Sequence, residues 1–393
     1  MEIKVLFIIG LLGTAGYLVG RGFIKLGLTG ILGYLIVGFI LGPVFKLNIP
    51  KGFGEIISSF TLSLVGYTIG ISFSFDFLKE MGKKMVIVLI VEVIVTSLCV
   101  FFFIYLISKN LPLSILLSSL SSATAPAGTI AVLREWKAKG SLTNMIIAIV
   151  GLDDVAGILM FTLGIALVRG ILGMHGGIFK SIIFPIWEII GGAFLGIACG
   201  MVFSYLLKKI EFSEDGIFVL SLFLPFFLWG ISQHIKVSPI LSCMVLGATF
   251  INLYKEKASL SANLIDNIMT PFFVLFFGSV GMTIKLINLK QLGAISLLYC
   301  IGRTLGKCMG AYWGGVIAQT EEKIKKYLGP ALMNQAGVAV GLAYLAFHEL
   351  PGYENLTNIV LTSIAITTAI FQFVAPIGVQ YSIRKAQEVT GVR

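Results

Sequence analysis

Charge is scarce in this chain: only 12% of its 393 residues are Asp, Glu, Lys or Arg. A soluble domain carries roughly a quarter, so an ordinary water-facing surface is excluded. Cysteine is also rare. Cys99, Cys199, Cys243, Cys300 and Cys308 are odd in number, lack CxxC spacing and all sit inside apolar runs. That argues against a disulfide framework or a zinc site and for small buried hydrophobes. The first apolar run begins almost at Met1 and has no small-residue cleavage site, so a removed leader is not expected.

What the chain has instead is hydrocarbon: 57% of residues are hydrophobic and the mean hydropathy is +0.98. Apolar runs of about 18 residues, enough to cross roughly 30 Å of lipid, recur throughout. Unpaired backbone polar groups are too costly in lipid for such runs to be anything but helices. Thirteen spans are expected, at about 3–20, 28–45, 55–73, 85–107, 112–133, 142–168, 181–207, 215–233, 237–253, 263–284, 290–318, 326–347 and 355–381.

The net charge of +10 would suit a polyanionic partner, but its distribution points elsewhere. With thirteen spans and the N-terminus outside, eighteen Lys and Arg residues fall in inner loops and nine in outer ones. This is the asymmetry of a multi-pass protein of a bacterial or archaeal cytoplasmic membrane, with its C-terminus inside and no nucleic-acid partner. Only Arg303 and Lys307 remain, both inside a span.

Spans 4–6 resemble spans 11–13. Each trio has an apolar helix, a span broken by polar and helix-disrupting residues, and a long helix. The offset of seven spans is odd, so the second trio crosses in the opposite sense, the pattern of secondary transporters with interrupted helices. Span 5 carries Ser118-Ser119-Leu120-Ser121-Ser122-Ala123-Thr124-Ala125-Pro126, and span 12 carries Gly329-Pro330 and Met333-Asn334-Gln335-Ala336-Gly337. Proline breaks the helical ladder, while hydroxyls and amides at mid-membrane need a cavity or a partner.

Ionisable groups deep in a membrane are functional by default. Span 6 carries Asp153 and Asp154, whose directions differ by about 100° on a helix. One carboxylate can therefore look into an ion cavity while its neighbour faces another helix. Arg303 is the expected charge partner, with Lys307 one turn away on the same face. Such a pair divides into a permanently charged member and one that holds either a proton or a cation. Glu92 and Glu188 are single acids without an evident partner, and Glu92 is the better candidate for a supporting role. Asp76, Glu80, Lys83 and Lys84 read as a solvated loop, and His175, His234 and His348 as interfacial side chains. Glycines at four-residue spacing, Gly192, Gly196 and Gly200 in span 7 and Gly16 and Gly20 in span 1, predict a close helix contact within or between protomers.

These residues together resemble the cation:proton antiporters (sodium/proton exchangers), in the bacterial branch that includes the Kef-type proteins. The paired aspartates, the broken span before them and the basic residue of span 11 carry most of the likeness. Stretches such as Leu41-Gly42-Pro43, Gly278-Ser279-Val280-Gly281 and Arg303-Thr304-Leu305-Gly306-Lys307 follow in matching order.

The resemblance implies an all-α fold of about thirteen transmembrane helices, with inverted repeats and two crossing discontinuous helices. It also implies a homodimer that exchanges a monovalent cation (Na⁺ or K⁺, with Li⁺ open) for protons, with no other cofactor. A scaffold part at about 1–84 and 181–284 would carry the dimer contact, and a core at about 85–170 and 290–381 would move the ion by an elevator-like step. Asp154 would carry cation or proton, Asp153 would pair with Arg303, and Ser122 and Thr124 would add oxygens, with Asn334, Gln335 and Glu92 behind them. Where some exchangers have an aspartate before the span-5 proline this sequence has Ala125, and where a lysine is usual in span 11 it has Arg303. Arginine stays charged in proteins, so an Asp153–Arg303 pair implies one proton per cation unless Lys307, one turn away on the same face, titrates instead. No nucleotide-binding tail of the Kef type is expected. Two other readings compete: a sodium-coupled organic-anion symporter of related fold, and an intramembrane aspartyl protease. The second needs two acids meeting from different helices, which consecutive aspartates do not provide.

Overall fold

The computed structural model describes residues 2–25, 30–47, 51–174, 178–284, 289–335 and 337–389. The chain opens with α1 (Glu2–Lys25), α2 (Gly30–Phe39) and α3 (Lys51–Ile71), and α2 runs on as a π-helical turn over Ile40–Val44 around Pro43. Then come α4 (Phe75–Ser108), α5 (Leu111–Ser119), α6 (Pro126–Glu135) and α7 (Ser141–Ile171). α8 (Ile178–Lys209), α9 (Glu214–His234), α10 (Pro239–Leu253) and α11 (Lys255–Thr283) follow. The chain ends with α12 (Leu289–Ile317), α13 (Glu322–Ala331), α14 (Gly337–Glu349) and α15 (Glu354–Lys385).

Among the described residues eight of these helices are long and apolar enough to span a membrane. The shorter apolar helices Gly30–Val44 and Pro239–Leu253, the charge-bearing α12, and the broken pairs α5/α6 and α13/α14 complete thirteen passes. Each falls on an expected span. The stretch read as a charged loop is instead helical: α4 begins at Phe75 and changes direction at Gly82, whose φ of 72° only glycine adopts freely. Asp76 there pairs with Lys255 at 2.9 Å, and Lys84 donates to the Gln319 carbonyl. The side chain of Glu80 and all of His175 lie outside the described residues.

The chain divides into two compact units. The first comprises Met1–Ile24, Gly30–Leu78 and Arg169–Ile284. Its helices approach closely through small residues, because helices in lipid gain their association from packing rather than from leaving water. The α8 glycines face α10. A Cβ on Gly192 would stand 3.2 Å from the Ser238 carbonyl, one on Gly196 2.5 Å from that of Ser242, and one on Gly200 2.6 Å from Thr249 Cβ. Gly16 of α1 similarly meets Val274 of α11, and Gly20 meets Tyr34 of α2. Both stripes thus make contacts inside one protomer. Glu188, which has no partner evident from sequence, is buried and accepts a 2.6 Å hydrogen bond from Arg169.

The second unit comprises Lys25–Thr29, Lys79–Val168 and Lys285–Arg393, so it gathers both trios of the inverted repeat. At one end the segment after α15 caps α7. Glu388 is buried and accepts from Leu142 N (2.9 Å), Thr143 N (2.7 Å) and Thr143 Oγ1 (2.8 Å), satisfying donors that a helix start leaves open. Lys323, at the start of α13, reaches the same carboxylate at 2.8 Å. The Glu388 carbonyl accepts from Lys139 N, and the Arg384 guanidinium lies 4.3 Å from the Trp136 ring centre.

Candidate functional site

The local sequence explains both breaks. α5 starts on an Asn110 cap with Pro112 in its first turn. It ends where Ser118, Ser119 and Ser121 turn their hydroxyls onto the carbonyls of Ile115, Leu116 and Ser118. Such back-bonding competes with the helical ladder. Residues 120–125 leave the helix, and Pro126, which needs no N–H partner at a first helical position, starts α6. In the second trio, Pro330 removes a ladder bond from the last turn of α13, and the chain re-enters a helix at Gly337.

The two breaks cross. Ala125 N donates to the Asn334 carbonyl (3.0 Å), Asn334 Nδ2 donates to the Ala125 carbonyl (3.1 Å), and Thr124 Oγ1 donates to the Leu332 carbonyl (3.2 Å). A Cβ on Gly128 would stand 2.5 Å from Asn334 Nδ2, so glycine is what admits this amide. Two helix C-termini, α5 and α13, therefore deliver their open carbonyls to one place. The partial negative charge there calls for a cation.

Arg303 of α12 supplies it. Nε donates to the Ser121 carbonyl (2.9 Å), Nη1 to Met333 (2.6 Å), and Nη2 to Ala123 (2.9 Å) and Asn334 (3.3 Å). Its guanidinium also lies 4.7 Å from the Phe371 ring centre. The expected Asp153–Arg303 pair is not formed. The physical reason is that four of the five guanidinium N–H donors are spent on carbonyls of the two breaks, which ties those breaks together. Arg303 is a fastener of the crossover.

The partner of Asp153 is Lys307. Its Nζ reaches Asp153 Oδ2 and Glu92 Oε1, each at 3.0 Å, and donates to the Ser122 carbonyl (2.6 Å) and Thr124 Oγ1 (2.8 Å). All three ionic side chains are fully buried. Glu92, expected only behind the other residues, therefore touches the central base, and Thr96 donates to the same Oε1 at 2.8 Å. The sequence carries a signal for this contact: Gly302, Gly306, Gly310 and Gly314 of α12 recur every four residues. A Cβ on Gly306 would stand 2.6 Å from Thr96 Cα, and one on Gly310 2.7 Å from Glu92 Cα. The stripe brings α4 against α12 beside Lys307. With Lys307 in this place, the premise of one proton per cation is gone.

Asp154 is 8% exposed, whereas Asp153 and Glu92 are wholly buried. Among the described residues it makes no ion pair, and its Oδ1 accepts no hydrogen bond from the protein. Asp153 Oδ1, Ser122 Oγ and Asn334 Oδ1 are likewise buried oxygens without a donor. Gln335 points elsewhere, its Nε2 donating to Tyr299 Oη, while its backbone carbonyl accepts from Gln372 Nε2. Two bases, Arg303 and Lys307, face three carboxylates, Glu92, Asp153 and Asp154. Ionised together they leave one unit of negative charge, and uncompensated charge inside a membrane is costly. A single cation or a single proton would remove it.

The fold has known counterparts. The sodium/proton antiporter MjNhaP1 of Methanocaldococcus jannaschii at pH 8 superposes with a TM-score of 0.79 at 17% identity, covering 99% of this chain and 100% of that one. An electron-microscopy structure of the same antiporter gives a TM-score of 0.68 at 19% identity, covering 99% and 97%. No curated protein matches the sequence. The family described as "Sodium/hydrogen exchanger, transmembrane" matches residues 10–380. With the crossed discontinuous helices and the acid–base cluster at their crossing, this shows that the chain belongs to the sodium/hydrogen exchanger family and is a membrane antiporter of a cation and protons, not an enzyme.

Proposed function

We propose that the protein exchanges a monovalent cation, sodium in the first instance, for protons across a cytoplasmic membrane by alternating access. The observation that carries this reading is the contrast within the aspartate pair. Asp153 is held by Lys307 at 3.0 Å, while Asp154 has no base among the described residues and is the more exposed. Asp154 is the carrier, holding either the cation or a proton and never both. Asp153 completes the charge, and Ser122 and Thr124 contribute oxygens from the first break. Asn334 does so from the second, while Gln335 braces that break through Tyr299 and Gln372. The single excess negative charge of the cluster favours a monovalent over a divalent ion.

In this reading the second unit, with both trios, is the moving core, and the first is the scaffold of a homodimer. The N-terminus lies outside and the C-terminus inside, as the Lys and Arg distribution favours. The test is exchange in sealed proteoliposomes: an imposed Na⁺, Li⁺ or K⁺ gradient, each in turn, should drive proton movement read by an internal pH dye. Proton movement with none of the three sinks the proposal, and the ranking among them identifies the ion.

A further inference from the structure

Lys307 is shared. A lysine that only neutralised Asp153 would need one carboxylate, yet the fold brings it a second from another helix. This is a built arrangement. Gly306 and Gly310 let α12 lie against the α4 backbone at Thr96 and Glu92, where any side chain would collide. Thr96 Oγ1, one turn along α4, donates to the same Glu92 Oε1 that the lysine meets, at 2.8 Å. Glu92 itself is wholly buried, with Oε2 free of any protein donor. Burying an acid so completely costs several kcal/mol unless a charge or hydrogen bond offsets it. Structure alone does not require it, because an apolar residue at position 92 would pack against Gly310 without that cost.

The consequence lies at Asp153. For a cation to be shared between Asp153 and Asp154, Asp153 must turn some of its charge from the lysine to the ion. Without another anion beside Lys307, that step would leave a buried ammonium with only hydroxyl and carbonyl oxygens, facing the incoming cation. We propose that Glu92 is a positioning residue, a resident counter-charge for Lys307 that allows Asp153 to turn from the lysine to the transported cation. This rests on the reading of Asp153 and Asp154 as the cation-binding pair. It deepens that reading by tying cation affinity to a residue on a different helix that never touches the ion. Removing the Glu92 charge would take the cluster from one excess negative charge to none, and with it much of the site's attraction for a cation.

The test is Glu92→Gln, which keeps the shape and the Thr96 contact but not the charge, measured as cation-driven proton flux in proteoliposomes. The KM for the cation should rise at least about tenfold, since a unit charge a few ångströms away in a protein interior is worth more than 1.4 kcal/mol. Vmax should fall far less than the affinity does. Thr96→Val, which only loosens Glu92, should raise KM by a smaller factor, and Glu92→Asp should fall between the wild type and Glu92→Gln. A KM unchanged in Glu92→Gln, with only thermal stability lowered, overturns the inference and leaves Glu92 as a helix contact. If Glu92→Gln does not fold, an unchanged KM in Thr96→Val and Glu92→Asp overturns it equally. The outcome is separable from that of the underlying reading: Asp154→Asn that still transports refutes both, whereas an inactive Asp154→Asn beside an unchanged KM in Glu92→Gln refutes only this one.

Discussion

Lys307 Nζ stands 3.0 Å from Asp153 Oδ2, while Asp154, the next residue along α7, has no basic partner among the described residues. The 100° between adjacent helical positions makes this possible: one carboxylate faces α12 and its neighbour does not. If Asp154 is the carrier, Asp154→Asn should abolish cation-driven proton flux, because an amide cannot alternate between proton and cation. Its melting temperature in detergent should stay within a few degrees of wild type, since no protein donor is lost at Oδ1. Normal flux in the variant would remove Asp154 from the mechanism.

Arg303 should prove a stability residue first. It donates four hydrogen bonds to carbonyls of two separate breaks. Hydrogen bonds involving a charged group are worth about 1.5–3 kcal/mol each, and acceptors left buried without donors cost further. Arg303→Gln should therefore lower stability by roughly 3 kcal/mol or more, read as a large drop in thermal midpoint. Arg303→Lys should fall in between. A midpoint unchanged in Arg303→Gln would contradict the fastener role.

Gly196 tests the first unit. Its Cβ position lies 2.5 Å from the Ser242 carbonyl of α10, which is backbone and cannot swing aside. Gly196→Leu should therefore prevent stable folding of the protomer. Size-exclusion in mild detergent should show aggregate or loss of protein, not a well-behaved monomer released from a dimer. A folded, monodisperse monomer would place the stripe between protomers instead.

Glu388 gives a pH-dependent prediction. Burial raises its pKa, but the hydrogen bonds from Lys323, Leu142, Thr143 and the Thr143 hydroxyl outweigh that and hold it below the usual glutamate range. A carboxyl with a depressed folded-state pKa contributes stability that is present above its unfolded pKa and lost as pH falls through the folded one. Lys323 is shifted the other way, upward, chiefly by its hydrogen bond to Glu388. Its share is present below the usual lysine range and lost only as pH rises beyond it. Glu388→Gln should thus lower the thermal midpoint at neutral pH by an amount that corresponds to about 1 kcal/mol, the scale of a helix cap. The gap from wild type should close below about pH 4. A gap that persists at low pH would mean the cap acts by shape alone.

Much of this protein is legible in its sequence. The scarcity of charge, the thirteen apolar runs and the Lys and Arg asymmetry follow from what lipid demands of any chain, so the helical fold needed no tertiary information. The breaks in spans 5 and 12 are written in Pro126, Pro330 and the serine run, because local backbone chemistry ends those helices. Asp153 and Asp154 announce themselves, since two acids in mid-membrane have no cheap structural explanation. Which base meets which acid was another matter. Arg303 and Lys307 sit one turn apart on one face, and sequence spacing cannot tell which of them the crossover carbonyls will claim. That was decided by two helix C-termini, from α5 and α13, meeting beside α12 and taking up four of the five guanidinium donors, so that Lys307 meets Asp153. Glu92 depended on tertiary structure in the same way. On its own helix it is a lone acid, and only the glycine stripe of α12, by letting two backbones approach, sets it against the lysine.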